Sequence, residues 1–248
     1  MAKYILFDTE TTGANEEDRI IQIGMMIVHS KNEIEIFDEL CNTEIPIKIE
    51  AMEVHNIVPQ MLEGKGTFGE TKSYANLLRY NDSENYLIAH NISFDLGMLV
   101  KEGFENNFTL IDTLRCAKHL FDDMPYHRLQ YLRYALDLYK IEEKEANDLG
   151  ITIKAHDAIG DVLVMKLFLS KLVQKVQVIY PTINPMVKLA ELTKTPVLIK
   201  TFKFGKYKGS DVSEVAKKDT GYLMWMRDNM KDLDDDMRFT LDFYLNNN

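Results

Sequence analysis

The sequence predicts an α/β fold, a mixed sheet flanked by helices, with a small α+β module at its C-terminal end. Three observations point there. Three β-rich runs open the chain, and helix-like and strand-like stretches then alternate to about residue 176. A stretch at 179–196 with Pro181, Pro185 and Pro196 separates this part from a tail rich in lysine and aromatics. Strands followed by alternating helices and strands bury their apolar faces best as a sheet covered by helices. A length of 248 residues, 46% of them hydrophobic, suits one medium domain and an appendage.

Residues 3–9 are a short apolar run that ends in acids, as a strand would. Residues 19–29 and 33–40 alternate in part, so the opening reads as a three-stranded antiparallel meander. Residues 67–80 and 92–102 read as helices around a strand at 85–89. A second short strand at 108–111 runs into a helix that begins near Asp112-Thr113, with Asp112 read as its N-cap. Leucines and tyrosines at helical spacing mark 128–138, and a long helix over 157–176 carries Ala158, Val162, Met165, Leu169 and Leu172 on one stripe. The expected domain spans 1–178, followed by a connector at 179–196 with a short helix at 186–193. In the module, 197–248, residues 198–208 read as a hairpin turning at Gly205, with helices at 212–230 and 234–245.

No opening segment has signal-peptide form, and no apolar run nears the roughly 20 residues that span a bilayer. Cys41 and Cys116 read as two buried thiols. A cytoplasmic location with no membrane partner is expected. The net charge of −10 argues against a polyanionic partner, but its distribution weakens that argument. From Lys194 onward ten basic residues face nine acidic ones, so the acidity lies in the first 193. Part of it would be a metal site, neutralised when cations bind.

Asp8 and Glu10 stand one residue apart at a strand end, so the period of two sends both carboxylates to one face. Hard oxygen ligands favour Mg²⁺ or Mn²⁺; an isolated pair of this kind also reads as a strand tip facing water. Thr11, Thr12 and Gly13 follow as a polar turn that would expose backbone N–H groups. Asp95 opens a helix after the turn His90-Asn91-Ile92-Ser93. There Ser93 is the expected N-cap, and Asp95 either complements the helix start or serves the site. Asn91 and Phe94 are placed to orient the acid and close the pocket.

His156 and Asp161 are too far apart for one helical face unless Asp157 is the N-cap. His156 then lies on the preceding loop and Asp161 in the first turns, a fixed ligand beside a mobile imidazole. A histidine pKa near 6.5 suits a base working around neutrality. Zinc is disfavoured, because no cysteine or histidine partners stand at zinc-like spacing. Four carboxylates and an imidazole at one point would hold two hard cations and activate water against a phosphodiester. His55 lies beside an apolar turn and reads either as structural or as a contact to a terminal nucleotide. In the tail, Lys200, Lys203, Lys206 and Lys208 alternate with Phe202, Phe204 and Tyr207. As a strand this puts cations on one face and aromatics on the other, either as a small hairpin or as a phosphate contact.

Together, FDTETTG, AMEVHNI, AHNISFD, LIDTL and HDAIGD, in this order, resemble the DEDD superfamily of 3′–5′ exonucleases over about residues 3–175. The His-x4-Asp form of the last motif is similar to the histidine subclass. The tail segment TFKFGKYKGSDVSEVAKKDTGYLMW resembles the C-terminal module of the exodeoxyribonuclease X group. The resemblance implies a ribonuclease-H-like fold and release of 5′-mononucleotides from a 3′ end, DNA favoured, with a role in DNA repair. It implies that Asp8, Glu10, Asp95 and Asp161 hold two ions, Mg²⁺ or Mn²⁺, and that His156 is the general base. By the same resemblance Thr12 and its neighbour Thr11 contact the 3′-terminal nucleotide through backbone groups. The residues themselves add His55, Asn91 and Phe94, with Lys206 and Lys208 from the tail, as expected substrate contacts. Asn56 departs from the glycine common after that histidine. An RNA-trimming exonuclease and a polymerase proofreading subunit share these motifs, and a non-catalytic nucleic-acid-binding protein would have little reason to keep all five residues. The sequence admits a homodimer without specifying one.

Overall fold

Strands β1 (Tyr4–Thr11), β2 (Ile20–Ser30), β3 (Glu33–Leu40), β4 (Tyr86–Ala89) and β5 (Thr109–Asp112) join in one sheet of order β3-β2-β1-β4-β5. The first three are antiparallel neighbours, whereas β4 runs parallel to β1 and β5 parallel to β4. This is the mixed sheet the sequence predicts. The computed structural model describes residues 2–30, 32–152 and 157–247. They fall into two compact units, Met1–Thr193 and Lys194–Asn248.

In the first unit the helices are α1 (Ile49–His55), α2 (Pro59–Leu62), α3 (Lys72–Tyr80), α4 (Ile92–Lys101), α5 (Thr113–Leu120), α6 (Leu129–Ala135), α7 (Tyr139–Leu149), α8 (Ala158–Ile179) and α9 (Pro185–Lys194). Alternation along β1 divides most of them between two cores, while Leu62 of α2 packs with Ile21 and Ile57 in a small third cluster. Leu6, with Met26, Ile88 and Ile111, packs with buried residues of α5, α6, α8 and α9. Ile5 and Phe7, with Ile23, Met25 and Leu87, pack on the other side with residues of α3 and α4. Cys41 and Cys116 lie in different cores as free, buried thiols, and burial pushes each up to about 12.

The single apolar stripe expected for α8 gives way to a broader buried surface. Ile159, Val162, Leu163, Val164, Met165, Leu167 and Phe168 are all buried, because the helix lies between the sheet and neighbouring helices. Gly24 on β2 permits that seat: a Cβ there would come within 2.4 Å of the Ala158 carbonyl carbon and the Ile159 nitrogen. Helices α1, α2 and α7 were not expected from the sequence. The stretch expected as a connector contains α9, whose Leu189, Ala190 and Leu192 are buried in the first unit's core.

The second unit contains α10 (Val212–Lys218), α11 (Thr220–Asn229) and α12 (Asp235–Asn246) around Phe202, Val212, Val215, Leu223, Met226 and Met237. Two expectations are corrected here. The helix over 212–230 breaks at Asp219, whose carboxylate caps α11 by accepting from the Tyr222 N–H. The hairpin over 198–208 is instead a loop closed by one isolated bridge, Thr201 to Asp211. Gly205 and Gly209, at φ 75° and 87°, turn this loop where a side chain would be strained. Among the described residues no helix is long and apolar enough to cross a membrane.

Candidate active site

Asp8 and Glu10 share the β1 face of Leu6, toward α8, as the strand period requires. In register Asp8 lies opposite Gly24, the residue on which the first turn of α8 rests. Asp161 belongs to that first turn, so the tight Gly24 contact brings the helix start and the strand acids together. Asp157 is at the N-cap position, but its side chain does not cap the helix. It accepts at 2.8 Å from the Gln22 amide, which also donates to Asp38 and lies opposite Glu10 in register.

Asp95 arrives from the other face of the sheet. The β1–β4 ladder ends at the pair Leu6 and Ile88, so Thr9 lies beyond β4. There the Thr9 N–H and hydroxyl both donate to Asp95 Oδ1, at 3.1 and 2.7 Å. The expected Ser93 cap is corrected: α4 begins at Ile92, after Asn91 in the left-handed region at φ 76°. The Asn91 N–H is held by Asp112 Oδ1, which also caps α5 through Leu114 and Arg115 as the sequence predicts. The Asn91 side chain and the Phe94 ring lie at the exposed surface.

The four acids act on one another electrostatically. Burial holds the Asp8 carboxyl well above the usual range, and the charges of Asp95, Asp161 and Glu10 raise it further. Burial, then Asp161, Asp95 and Asp157, pushes Glu10 up to about 8. Burial likewise raises Asp95 to about 7, against the hydrogen bonds from Thr9 that favour its charged form. A cluster that resists its own ionisation is one a divalent cation would stabilise, and an all-oxygen donor set fits a hard ion. Among the described residues no three His, Cys, Asp or Glu side chains converge into a ready-made metal cage. The fit therefore rests on donor chemistry and field. His156 lies outside the described residues.

Sequence reasoning missed the support behind Asp161. The Gln130 amide donates to Asp161 Oδ1 at 2.6 Å, and Arg133 donates to Gln130 Oε1 at 3.1 Å. Arg133 in turn donates to both carboxylate oxygens of the buried Glu142, from Nε at 2.6 Å and from Nη2 at 2.7 Å. The available signal was the spacing of Gln130 and Arg133, which puts them on one face of α6.

The turn after β1 is more occupied than expected. The Thr12 side chain is fully buried against Asp18, and its N–H donates to the Arg19 carbonyl, so neither faces outward for a nucleotide. Thr11 donates its hydroxyl to the Gly13 carbonyl. His55 is 6% exposed: its Nδ1 accepts from the Ile57 N–H, leaving Nε2 to donate to the Thr11 carbonyl at 3.2 Å. Burial lowers its pKa, consistent with a neutral ring that braces Thr11. Asn56, at φ 60°, ends α1 in the left-handed region, which asparagine tolerates better than most residues. Lys206 and Lys208 are exposed in the second unit, with Lys206 paired to Asp219 at 3.0 Å.

Comparison with known proteins matches residues 5–168 to the family described as Exonuclease and residues 202–231 to the Exodeoxyribonuclease X-like C-terminal family. Exodeoxyribonuclease 10 of Escherichia coli K12 is 28% identical over 242 residues, 98% of either chain. A structure of Exonuclease X in complex with 5′-overhanging duplex DNA superposes with a TM-score of 0.54 at 20% identity, covering 77% of this chain and 99% of that one. A zinc-bound complex of Escherichia coli Exonuclease I with single-stranded DNA gives 0.54 at 20% identity, over 73% of this chain and 42% of that one. These structural likenesses establish the exonuclease, ribonuclease-H-like fold.

Proposed function

This chain belongs to the Exonuclease family and is a nuclease acting on nucleic acid, and on that premise we propose a 3′–5′ exodeoxyribonuclease that releases 5′-mononucleotides, serving DNA repair. The observation that carries the reading is the gathering of four acids at the end of β1: Asp8 and Glu10 on one strand face, Asp95 held by Thr9, and Asp161 in the helix turn seated on Gly24. Asp95 and Asp161 both raise the pKa of Asp8 and of Glu10. The choice of DNA is supported by full-length similarity to a relative named as an exodeoxyribonuclease.

In this reading the four carboxylates hold two divalent ions, Mg²⁺ or Mn²⁺, which when bound supply Lewis-acid activation of water and charge neutralisation at the leaving oxygen. Thr9 fixes the rotamer of Asp95 with two hydrogen bonds, and Gln130 does the same for Asp161 with one. His156 is the general base and takes a proton from the attacking water. The new P–O bond forms as the P–O3′ bond breaks, leaving a 5′-phosphate on the nucleotide and a fresh 3′-hydroxyl on the strand. Thr11 and the exposed Asn91 and Phe94 flank the terminal nucleotide. His55 contributes by fixing Thr11, and Thr12 by anchoring the turn to Asp18.

The test uses matched DNA and RNA strands with Mg²⁺, each labelled at either end. Wild-type protein is expected to free a 3′ label at once and to shorten the 5′-labelled strand stepwise. Asp8→Ala is expected to fold and release nothing, and His156→Ala to lose most of its rate while retaining metal affinity. Wild-type digestion by Asp8→Ala would sink the assignment. Preferential digestion of RNA would transfer the reading to RNA trimming.

A further inference from the structure

The second unit contains a feature that the chemistry of the first does not use. Its charge is segregated along the chain: residues 194–218 carry seven lysines and two acids, whereas residues 219–248 carry three basic residues and seven acids. The lysine-rich part includes the loop closed by the Thr201–Asp211 bridge, where Lys203, Lys206 and Lys208 are all exposed.

That loop runs beside an aromatic ladder. Tyr222 meets Tyr207 edge-on at 5.0 Å and lies parallel to Trp225 at 6.1 Å, the planes 21° apart. Gly205 comes so close that a Cβ there would lie 2.5 Å from the Tyr222 hydroxyl, which also accepts from the Lys206 N–H. The Lys206 ammonium lies 4.8 Å from the Tyr207 ring centre and 5.9 Å from that of Tyr222. Asp219 holds both the Lys206 ammonium and the Tyr207 hydroxyl. The ladder is therefore braced and cation-capped, and its far end is open: Trp225 is 53% exposed, and Phe204 in the loop is 38% exposed.

A small module has reason to bury aromatics, and Phe202 and Tyr222 serve that purpose. An exposed indole stacked on a braced tyrosine, beside a lysine loop, exceeds what its core requires. We propose that Trp225 and the loop of Lys203, Lys206 and Lys208 form a second nucleic-acid contact, which takes a single strand by base stacking on Trp225 and phosphate pairing with the lysines. Stacking with backbone pairing binds strands with little regard to sequence, because every base has a π-face. With Lys206 committed to Asp219, the phosphate contacts fall first to Lys203 and Lys208. The proposal rests on the nuclease reading only for the identity of the polyanion.

Trp225 is the chain's one tryptophan, so its emission reports the contact directly. The full chain is titrated with a dT12 strand in EDTA, where no cleavage occurs and the repelling carboxylates of the first unit offer little to phosphate. Saturable quenching is expected, and an abasic strand of equal charge should quench far less. Lys203→Glu with Lys208→Glu should weaken binding about tenfold and flatten the salt slope by roughly 1.4, from 0.7 per phosphate contact. Trp225→Ala, followed by anisotropy of a labelled dT12, should lose about tenfold. Absence of quenching, equal quenching by the abasic strand, or binding unchanged by the double charge reversal would overturn the proposal. Mononucleotide release with Mg²⁺ is scored separately. Cleavage without quenching removes the platform and spares the nuclease reading, whereas quenching without cleavage supports the platform and removes that reading.

Discussion

The end of β1 and the lysine loop of the second unit treat charge in opposite ways. At β1 four acids are gathered, partly or wholly withdrawn from water, and set against one another, so Glu10 is pushed up to about 8. In the loop Lys203, Lys206 and Lys208 are spread out and exposed, and the charge on Lys206 is matched by Asp219. Frustrated charge at a fixed point stores a demand for cations, whereas relaxed charge along a loop offers contact without demanding a particular geometry. The first arrangement suits bond breaking and the second suits holding a strand.

The contrast would be broken most decisively by pH. Glu10 and Asp95 keep their protons in the folded chain up to about 8 and 7, whereas the unfolded chain releases them near 4. Between these values the folded state binds more protons, so stability must fall as pH rises. This contribution is complete below about pH 4 and lost by about pH 8. Thermal melts in EDTA are expected to drop by roughly 5 °C or more from pH 5 to pH 8.5. Glu10→Gln should flatten the drop and Mg²⁺ should reverse it. Equal melting temperatures at the two pH values would show that the acids are not frustrated.

A smaller effect is expected at Gly24. A methyl group there meets backbone at 2.4 Å, which no side-chain rotation relieves. Gly24→Ala should cost about 1–3 kcal/mol in urea unfolding. It should also lower activity beyond what stability explains, because it lifts Asp161 from Asp8. Full activity with lost stability would separate the seat from the site. The smallest effect belongs to the loop: Lys208→Gln should change stability by less than about 0.5 kcal/mol by the same measurement. A larger loss would mean that the loop lysines are structural.

What could be read in the sequence was what is local. The Asp8–Glu10 spacing, the three opening strands and the Asp112 cap follow from periods and short-range hydrogen bonds. The Asp95–Thr9 contact does not, because it depends on β4 ending while β1 continues. Gln130 and Gly24 matter only through partners 31 residues away or across a helix–sheet contact. The tail misled for a different reason. Its alternation of lysine and aromatic has the period of a strand, but Phe202 is buried while Phe204 is exposed, and two left-handed glycines turn the chain. Helix α7 escaped notice because only Glu142 and Ala146 of its residues are buried, too sparse for a periodic apolar signal.

Asp112 has a consequence for how the site comes apart. One carboxylate oxygen holds the Asn91 amide at the entrance to α4 and the Leu114 and Arg115 amides at the entrance to α5. The turns after β4 and β5 thus share one acceptor, so removing the Asp112 carboxylate would free donors in both. The turn leading to Asp95 is thereby tied to the N-terminus of a helix that carries none of the four acids. The placement of Asp95 is then borrowed in part from a neighbouring loop.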